Sequence, residues 1–206
     1  MDLTFYISAF VTLFVVIDPI GLAPLFVAIT QGAPARVRRA IALRAIGVGA
    51  VLLTLFGLLG EGVLGFAGIS LAAFRIAGGI LLFLTALEML FERRTQRRED
   101  QADSHPPDPS VFPLATPLIA GPGALASMIL LTGEVRGDWL AILGVHLVML
   151  AVLAMVLILF LSAGLLERAL GRTGTNVITR LLGMLLAALS VQFVLDGLRD
   201  FGLAPI

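Results

Sequence analysis

Asp18 is the residue whose type and position most invite chemistry. It is the fourteenth residue of an apolar stretch, Phe5–Ile29, that holds no other charged side chain. A stretch of that length crosses a bilayer. The carboxylate is therefore expected near the midplane, where insertion costs roughly 3 kcal/mol and a functional role is the default reading. Asp18 also opens a proline–glycine break, Asp18-Pro19-Ile20-Gly21-Leu22-Ala23-Pro24. A second break, Thr116-Pro117-Leu118-Ile119-Ala120-Gly121-Pro122-Gly123, interrupts another apolar stretch. A shift of 98 residues carries Pro19 onto Pro117, Pro24 onto Pro122 and Asp18 onto Thr116. Each proline lacks an N–H and crowds the carbonyl four residues earlier, so the carbonyls of Val15, Ile20, Pro113 and Leu118 are expected to lose helical partners. In hydrocarbon such groups must be satisfied by protein, water or ligand.

Hydrophobic segments interrupted at matching positions of two halves point to a transporter binding site. The N-terminal end of a half-helix offers free N–H groups and partial positive charge, suited to a carboxylate. The unwound carbonyls suit an ammonium group or a small cation. Two antiparallel broken helices meeting at the midplane would thus accept a small zwitterion. The candidate substrate-binding residues are Asp18, Pro19, Gly21, Leu22 and Pro24 from the first break. The second break adds Thr116, Pro117, Gly121, Pro122 and Gly123. Asp18 reads equally well as the cap of the half-helix that follows it, and a capping residue that lines a wet cavity can still touch substrate. Thr116 is a neutral cap residue at the corresponding position. A carboxylate at the site makes a proton or a sodium ion the natural coupling ion.

The elements that must position these residues are membrane helices. The chain is 59% hydrophobic and 14% charged, with a mean hydropathy of +1.04, outside the range of a soluble domain. Six spans are expected, at Phe5–Ile29, Ala40–Gly60, Leu71–Phe91, Val111–Leu131, Trp139–Leu161 and Asn176–Leu195. The first is not a cleavable signal, because Asp2 stands where a basic region would be and the apolar run is too long. Cysteine is absent, which excludes disulfides, thiolate catalysis and thiolate-bound metal. A net charge of zero argues against nucleic acid as a partner. No enzymatic, metal or cofactor motif is present. Arg75 and Arg180 each lie about one turn into a span and read as residues snorkelling to opposite interfaces, with gating or charge pairing at each mouth as the alternative. His146 is expected to hydrogen-bond to a neighbouring helix.

Residues 92–110, rich in charge and proline, form a solvated linker between residues 1–91 and 111–206. Each flanking half has three spans. Three is odd, so the second half enters the membrane from the opposite side, and any repeat between them is inverted. Arg75-Ile76-Ala77-Gly78 opens the third span and Arg180-Leu181-Leu182-Gly183 the sixth, at an offset of 105. The expected fold is an all-α membrane protein of six transmembrane helices, arranged as a 3+3 inverted repeat with broken first and fourth helices.

The strings DPIGLAP, FRIAGG, FPLATPLIAGPGA and ITRLLG…VQFVLDG resemble the MarC family of six-span bacterial inner-membrane proteins. The resemblance runs from the first span to the last and leaves out the linker. It implies kinship with LysE-type exporters and, from some members, transport of neutral amino acids. Many relatives carry asparagine where this chain has Leu22, so a side-chain amide is missing here. The expectation is a secondary transporter, an exporter of small neutral amino acids or similar metabolites. Its partners are a zwitterionic substrate, H+ or Na+ and the lipid bilayer, with room for a homo-oligomer. A channel or a non-transporting membrane protein is the alternative, and saturable uptake with counterflow separates a carrier from a channel.

Arginine placement sets the orientation. The face holding the N-terminus receives Arg75, Arg136 and Arg199, and the opposite face the other eleven arginines. Under the positive-inside rule both termini are periplasmic. A C-terminal reporter active only in the cytoplasm should therefore stay silent, and a strong cytoplasmic signal from the full-length fusion would refute this topology.

Overall fold

Within hydrocarbon each backbone N–H and C=O must bond inside its own segment, so long runs of Leu, Val, Ile, Phe and Ala close into helices. The computed structural model describes residues 3–91, 93 and 108–203. Its elements are α1 (Leu3–Ile17), α2 (Pro19–Ile29), α3 (Ala35–Phe66), α4 (Leu71–Leu90), the π-helical α5 (Ser110–Ile119), α6 (Pro122–Glu134), α7 (Trp139–Leu161) and α8 (Ala163–Asp200). Five segments are long and apolar enough to cross a membrane: Leu3–Ile29, Ala35–Phe66, Leu71–Leu90, Trp139–Leu161 and Thr173–Asp200. The α5–α6 pair, bent by 56°, makes a sixth where the two are counted as one broken span.

Two helices outrun their expected spans. At 32 residues α3 is about 48 Å long, because Arg36, Arg38 and Arg39 sit in its first turns, where long side chains reach water. The last helix begins before its span and breaks at Gly171, whose φ of 60° suits glycine. Most of the linker, residues 92 and 94–107, lies outside the described residues. Its last residues are structured: Asp108 pairs with Arg44 of α3 and accepts hydrogen bonds from the Ser110 hydroxyl at 2.6 Å and amide at 3.0 Å. Those two bonds, with the guanidinium beside them, hold the Asp108 carboxyl below the usual carboxylate range.

The spans alternate in direction. At the face of the N-terminus, Tyr6 lies against Gly144, Arg136 pairs with Glu61 at 2.6 Å, and Arg75 of α4 reaches the last residues of α6 and α8. At the other face Phe26 stacks on Phe160 with centroids 4.3 Å apart, and the Arg38 guanidinium covers the Phe26 ring at 5.9 Å.

Packing runs almost entirely between the first half and the second. Helices α1 and α2 pack on α7, α3 packs on α5, α6 and α7, and α4 packs on α6 and α8. Neither half builds a core of its own, so the chain is one interlocked membrane unit. Its spine is the antiparallel α4–α8 pair. A Cβ on Gly79 would lie 2.8 Å from the Ser190 carbonyl, one on Gly197 3.0 Å from the Ala72 carbonyl, and one on Gly183 2.9 Å from Met89 Cβ. Small residues let these backbones approach where apolar burial alone gives no drive, since lipid is as apolar as the helices.

Gly79→Leu and Gly197→Leu should each force the spine apart and lower stability by about 1–3 kcal/mol. The same change at Gly47, where no atom lies within 4 Å of the added Cβ, should be neutral. Thermal unfolding in detergent reads the contrast, and equal melting of all three variants would show that the spine is not close-packed.

Candidate functional site

Asp18 divides the first span at a single residue. Its backbone is left-handed, with φ 58° and ψ 65°, a conformation Asp tolerates better than most residues at a cost of about 1–2 kcal/mol. The helical ladder continues across it: its N–H donates to the Phe14 carbonyl at 2.9 Å and its carbonyl accepts from the Leu22 N–H at 3.0 Å. The side chain caps α2, Oδ1 accepting from the Gly21 N–H at 3.0 Å. Pro19 occupies the first helical position, where a missing N–H is harmless. Gly21 is required by the carboxylate itself, since a Cβ there would overlap Oδ2. Asp18 and Leu22 are both wholly buried, while Pro24 lies inside α2 and is half-buried.

The second break is longer. Phe112, Thr116 and Pro117 leave helical geometry, and the hydrogen bonds widen to five-residue spacing: Leu114 N–H to the Pro109 carbonyl at 3.2 Å and Ala120 N–H to the Ala115 carbonyl at 2.8 Å. The helix resumes only after Gly121, which is extended at φ −78° and ψ 167°. This corrects the expected cap. Thr116 does not cap α6; its hydroxyl donates back to the Val111 carbonyl at 3.2 Å. The cap position belongs to Gly121, no side chain caps α6, and Pro122, not Pro117, stands first in the helix. By helix starts, Pro19 therefore corresponds to Pro122, an offset of 103. The two proline breaks share spacing but not depth of unwinding.

The breaks touch. A Cβ on Gly123 would lie 3.2 Å from Val16 Cγ1 and 3.1 Å from Leu82 Cδ2, and Val16 is two residues before Asp18. Gly121 is held by its own loop, a Cβ there falling 2.5 Å from the Pro117 carbonyl. Ser127, fully buried one turn on, donates to the Gly123 carbonyl at 2.9 Å. Leu118 and Ile119 are buried, Ile119 against Gly49 of α3, whereas Thr116, Pro117 and Gly121 are half-buried and Pro122 is exposed. A recess of about 430 Å³, bounded by Leu58, Glu61, Ile69, Ser70, Leu71 and Arg136, lies instead at the outer end of α3 and α4. It does not reach the breaks.

The two matched arginines differ. Arg75 does not snorkel: it is 9% exposed, with Nη1 donating to Asp200 at 2.7 Å and Nη2 to Glu134 at 3.0 Å. Charge pairing across three helices replaces interfacial hydration. Arg180 is exposed on α8. His146 also departs from expectation. Its Nδ1 bonds the Ile142 carbonyl of its own helix at 2.8 Å, and its buried Nε2 faces Gly57 of α3 without a hydrogen-bond partner among the described residues. The Gly57 carbonyl is taken by the Thr132 hydroxyl at 2.8 Å. Sequence reasoning missed Glu134 and Asp200, because nothing local marks two helix-terminal acids as partners of a distant arginine.

Asp18→Ala should lose the cap, worth about 1 kcal/mol, and keep the strained backbone. Gly21→Ala should displace the carboxylate and cost a similar amount, while Asp18→Asn, which caps and tolerates the left-handed region, should melt close to the parent. Detergent melting curves test this order. Parent-like melting of Gly21→Ala would mean the carboxylate is not seated on that amide.

The model of the MarC family integral membrane proteins matches residues 3–201. A UPF0056 membrane protein of Methanocaldococcus jannaschii is 36% identical over 204 residues, covering 97% of this chain and 98% of the relative. A UPF0056 membrane protein of Archaeoglobus fulgidus is 35% identical, covering 96% and 94%. The UPF0056 inner membrane protein YhgN of Escherichia coli is 33% identical, covering 94% and 95%. No solved structure matches the chain. With both breaks and every candidate span inside the matched region, this multi-pass membrane protein belongs to the MarC family.

Proposed function

We propose that this protein is a secondary transporter, working as an exporter of small neutral amino acids or similar zwitterionic metabolites. It is built as a 3+3 inverted repeat in a bacterial inner membrane, with both termini periplasmic. The observation that carries the reading is the contact of Gly123 with Val16, which joins the two breaks beside the wholly buried carboxylate of Asp18. An acid at that depth is costly unless it is hydrogen-bonded, hydrated or facing a ligand or an ion, and the cap on Gly21 uses only one of its lone pairs. The first turn of α6 has no side-chain cap and so suits a substrate carboxylate; Asp18 suits its ammonium group or the coupling ion.

Support for the repeat comes from reciprocal packing. The first span lies on α7 and the fourth on α3; α2 lies on α8 and α6 on α4. Exchanging the halves maps each of these contacts onto another. The antiparallel α4–α8 spine maps onto itself, as a two-fold axis in the membrane plane requires. The E. coli relative, described as an inner membrane protein, supports the location. The burial of Val16, Asp18 and Gly123 supports a carrier over a constitutively open channel, because a carrier passes through an occluded state.

Transport of a panel of amino acids in proteoliposomes, with counterflow, tests the proposal. Well-folded Asp18→Asn should lose substrate accumulation and any pH dependence due to this carboxylate. Thr116→Val should weaken transport less, since a neutral hydrogen bond is worth about 1 kcal/mol against roughly 2–3 for a charged one. Equal transport by Asp18→Asn and the parent would leave Asp18 a helix cap and refute the coupling role. Conductance without counterflow would make the protein a channel.

A further inference from the structure

The Arg75 cluster invites a role beyond bracing. Arg75 is nine-tenths buried, and its planar fork is divided between two carboxylates that end two different helices, Glu134 on α6 and Asp200 on α8. The two attachments are mechanically unequal. Helices α4 and α8 are already joined along their length by the close contacts of Gly79, Gly183 and Gly197, so the Asp200 arm adds little to what holds them. The far end of α6 hangs differently. Its near end leaves a 56° bend at Gly121, where the backbone is extended and uncapped and can act as a hinge. Glu134 lies 13 residues along that helix, so a hinge rotation of roughly 10° moves it by about 3 Å, enough to break an ion pair. The same helix meets the first span through Gly123, which lies against Val16. Whatever releases Glu134 therefore also frees the element packed on Val16, two residues before Asp18.

We infer that the Arg75–Glu134 ion pair is the gate on the face that carries the termini, with Asp200 anchoring Arg75 to the α4–α8 spine while α6 swings. The inference rests on the transporter reading for its purpose, but its mechanics do not. Arg75 Nε is buried with no partner among the described residues, a donor in reserve when one carboxylate departs. The matched arginine, Arg180, is exposed on α8, whereas Arg75 is buried.

The natural absence of cysteine gives a clean probe. Val16, 2% exposed and in contact with Gly123, is changed to cysteine. A membrane-impermeant thiol reagent is then applied to vesicles of each orientation. Glu134→Gln, which frees α6 but leaves Arg75 paired with Asp200, should raise the modification rate about five-fold or more from the face of the termini and less than about two-fold from the other. Asp200→Asn should leave the rate within about two-fold of the parent, and Arg75→Lys, which keeps charge without the fork, should fall between. A parent-like rate in folded Glu134→Gln would make the cluster a static brace and overturn the inference. So would equal increases from both faces, or an increase with Asp200→Asn as large as with Glu134→Gln. Labelling needs no substrate, so the two readings fail separately. A rise in labelling with no transported amino acid upholds the gate and sinks the transporter, whereas transport with unchanged labelling does the reverse.

Discussion

Backbone polar groups buried in a membrane must find partners within the protein, and everything distinctive here follows from how two breaks meet that demand. At Asp18 the solution is local and economical. One left-handed residue keeps its own N–H and carbonyl in the ladder and lends a carboxylate to the Gly21 amide, so α1 and α2 remain a single span of 27 residues. At the second break two prolines and an extended glycine unwind a longer stretch, wide turns replace the missing bonds, and the axis turns by 56°. The difference in chemistry follows. The first break carries a carboxylate and a filled cap, and the second an open helix end with no side-chain cap.

Interlocking makes those breaks matter. Because each half packs mainly on the other, the interrupted segments meet, with Gly123 of the second against Val16 of the first. Glycines decide how close the elements come. Gly123 admits Val16 at the junction, Gly60 admits Ile129 between α3 and α6, and Gly79, Gly183 and Gly197 seat α4 on α8. The large apolar side chains left exposed, such as Leu43, Phe56, Leu84, Leu147 and Leu185, face outward as lipid contact requires.

Asp18 apart, the described ion pairs lie toward the ends of the helices, and one of them organises a face. Arg136 with Glu61 and Arg44 with Asp108 are exposed pairs on opposite sides of the membrane unit, and such pairs contribute little to stability. Arg75 is drawn inward instead, and buried charge persists only where partners satisfy it. Its two carboxylates come from helices that the chain brings to it only after crossing the membrane again.

Much of this protein was legible in its sequence because the governing signals are local. Hydropathy located every span, since a bilayer needs about 20 apolar residues in a row. Prolines located both breaks, and the capping role of Asp18 followed from its place before Pro19. Local signals could not say where the second half-helix restarts. Thr116 and Pro117 repeat the spacing of Asp18 and Pro19, yet packing on α3, where Gly49 admits Ile119, goes with a longer unwound stretch and moves the start to Pro122. Nor could they foresee Arg75 with Glu134 and Asp200, partners 59 and 125 residues away, or the seating of Gly123 of α6 against Val16. The chain itself determined which segments cross the membrane and where they are interrupted, because those depend on residues within a turn or two. Tertiary structure alone decided which interruptions meet and which charges pair, because those depend on helices brought together from opposite ends of the chain.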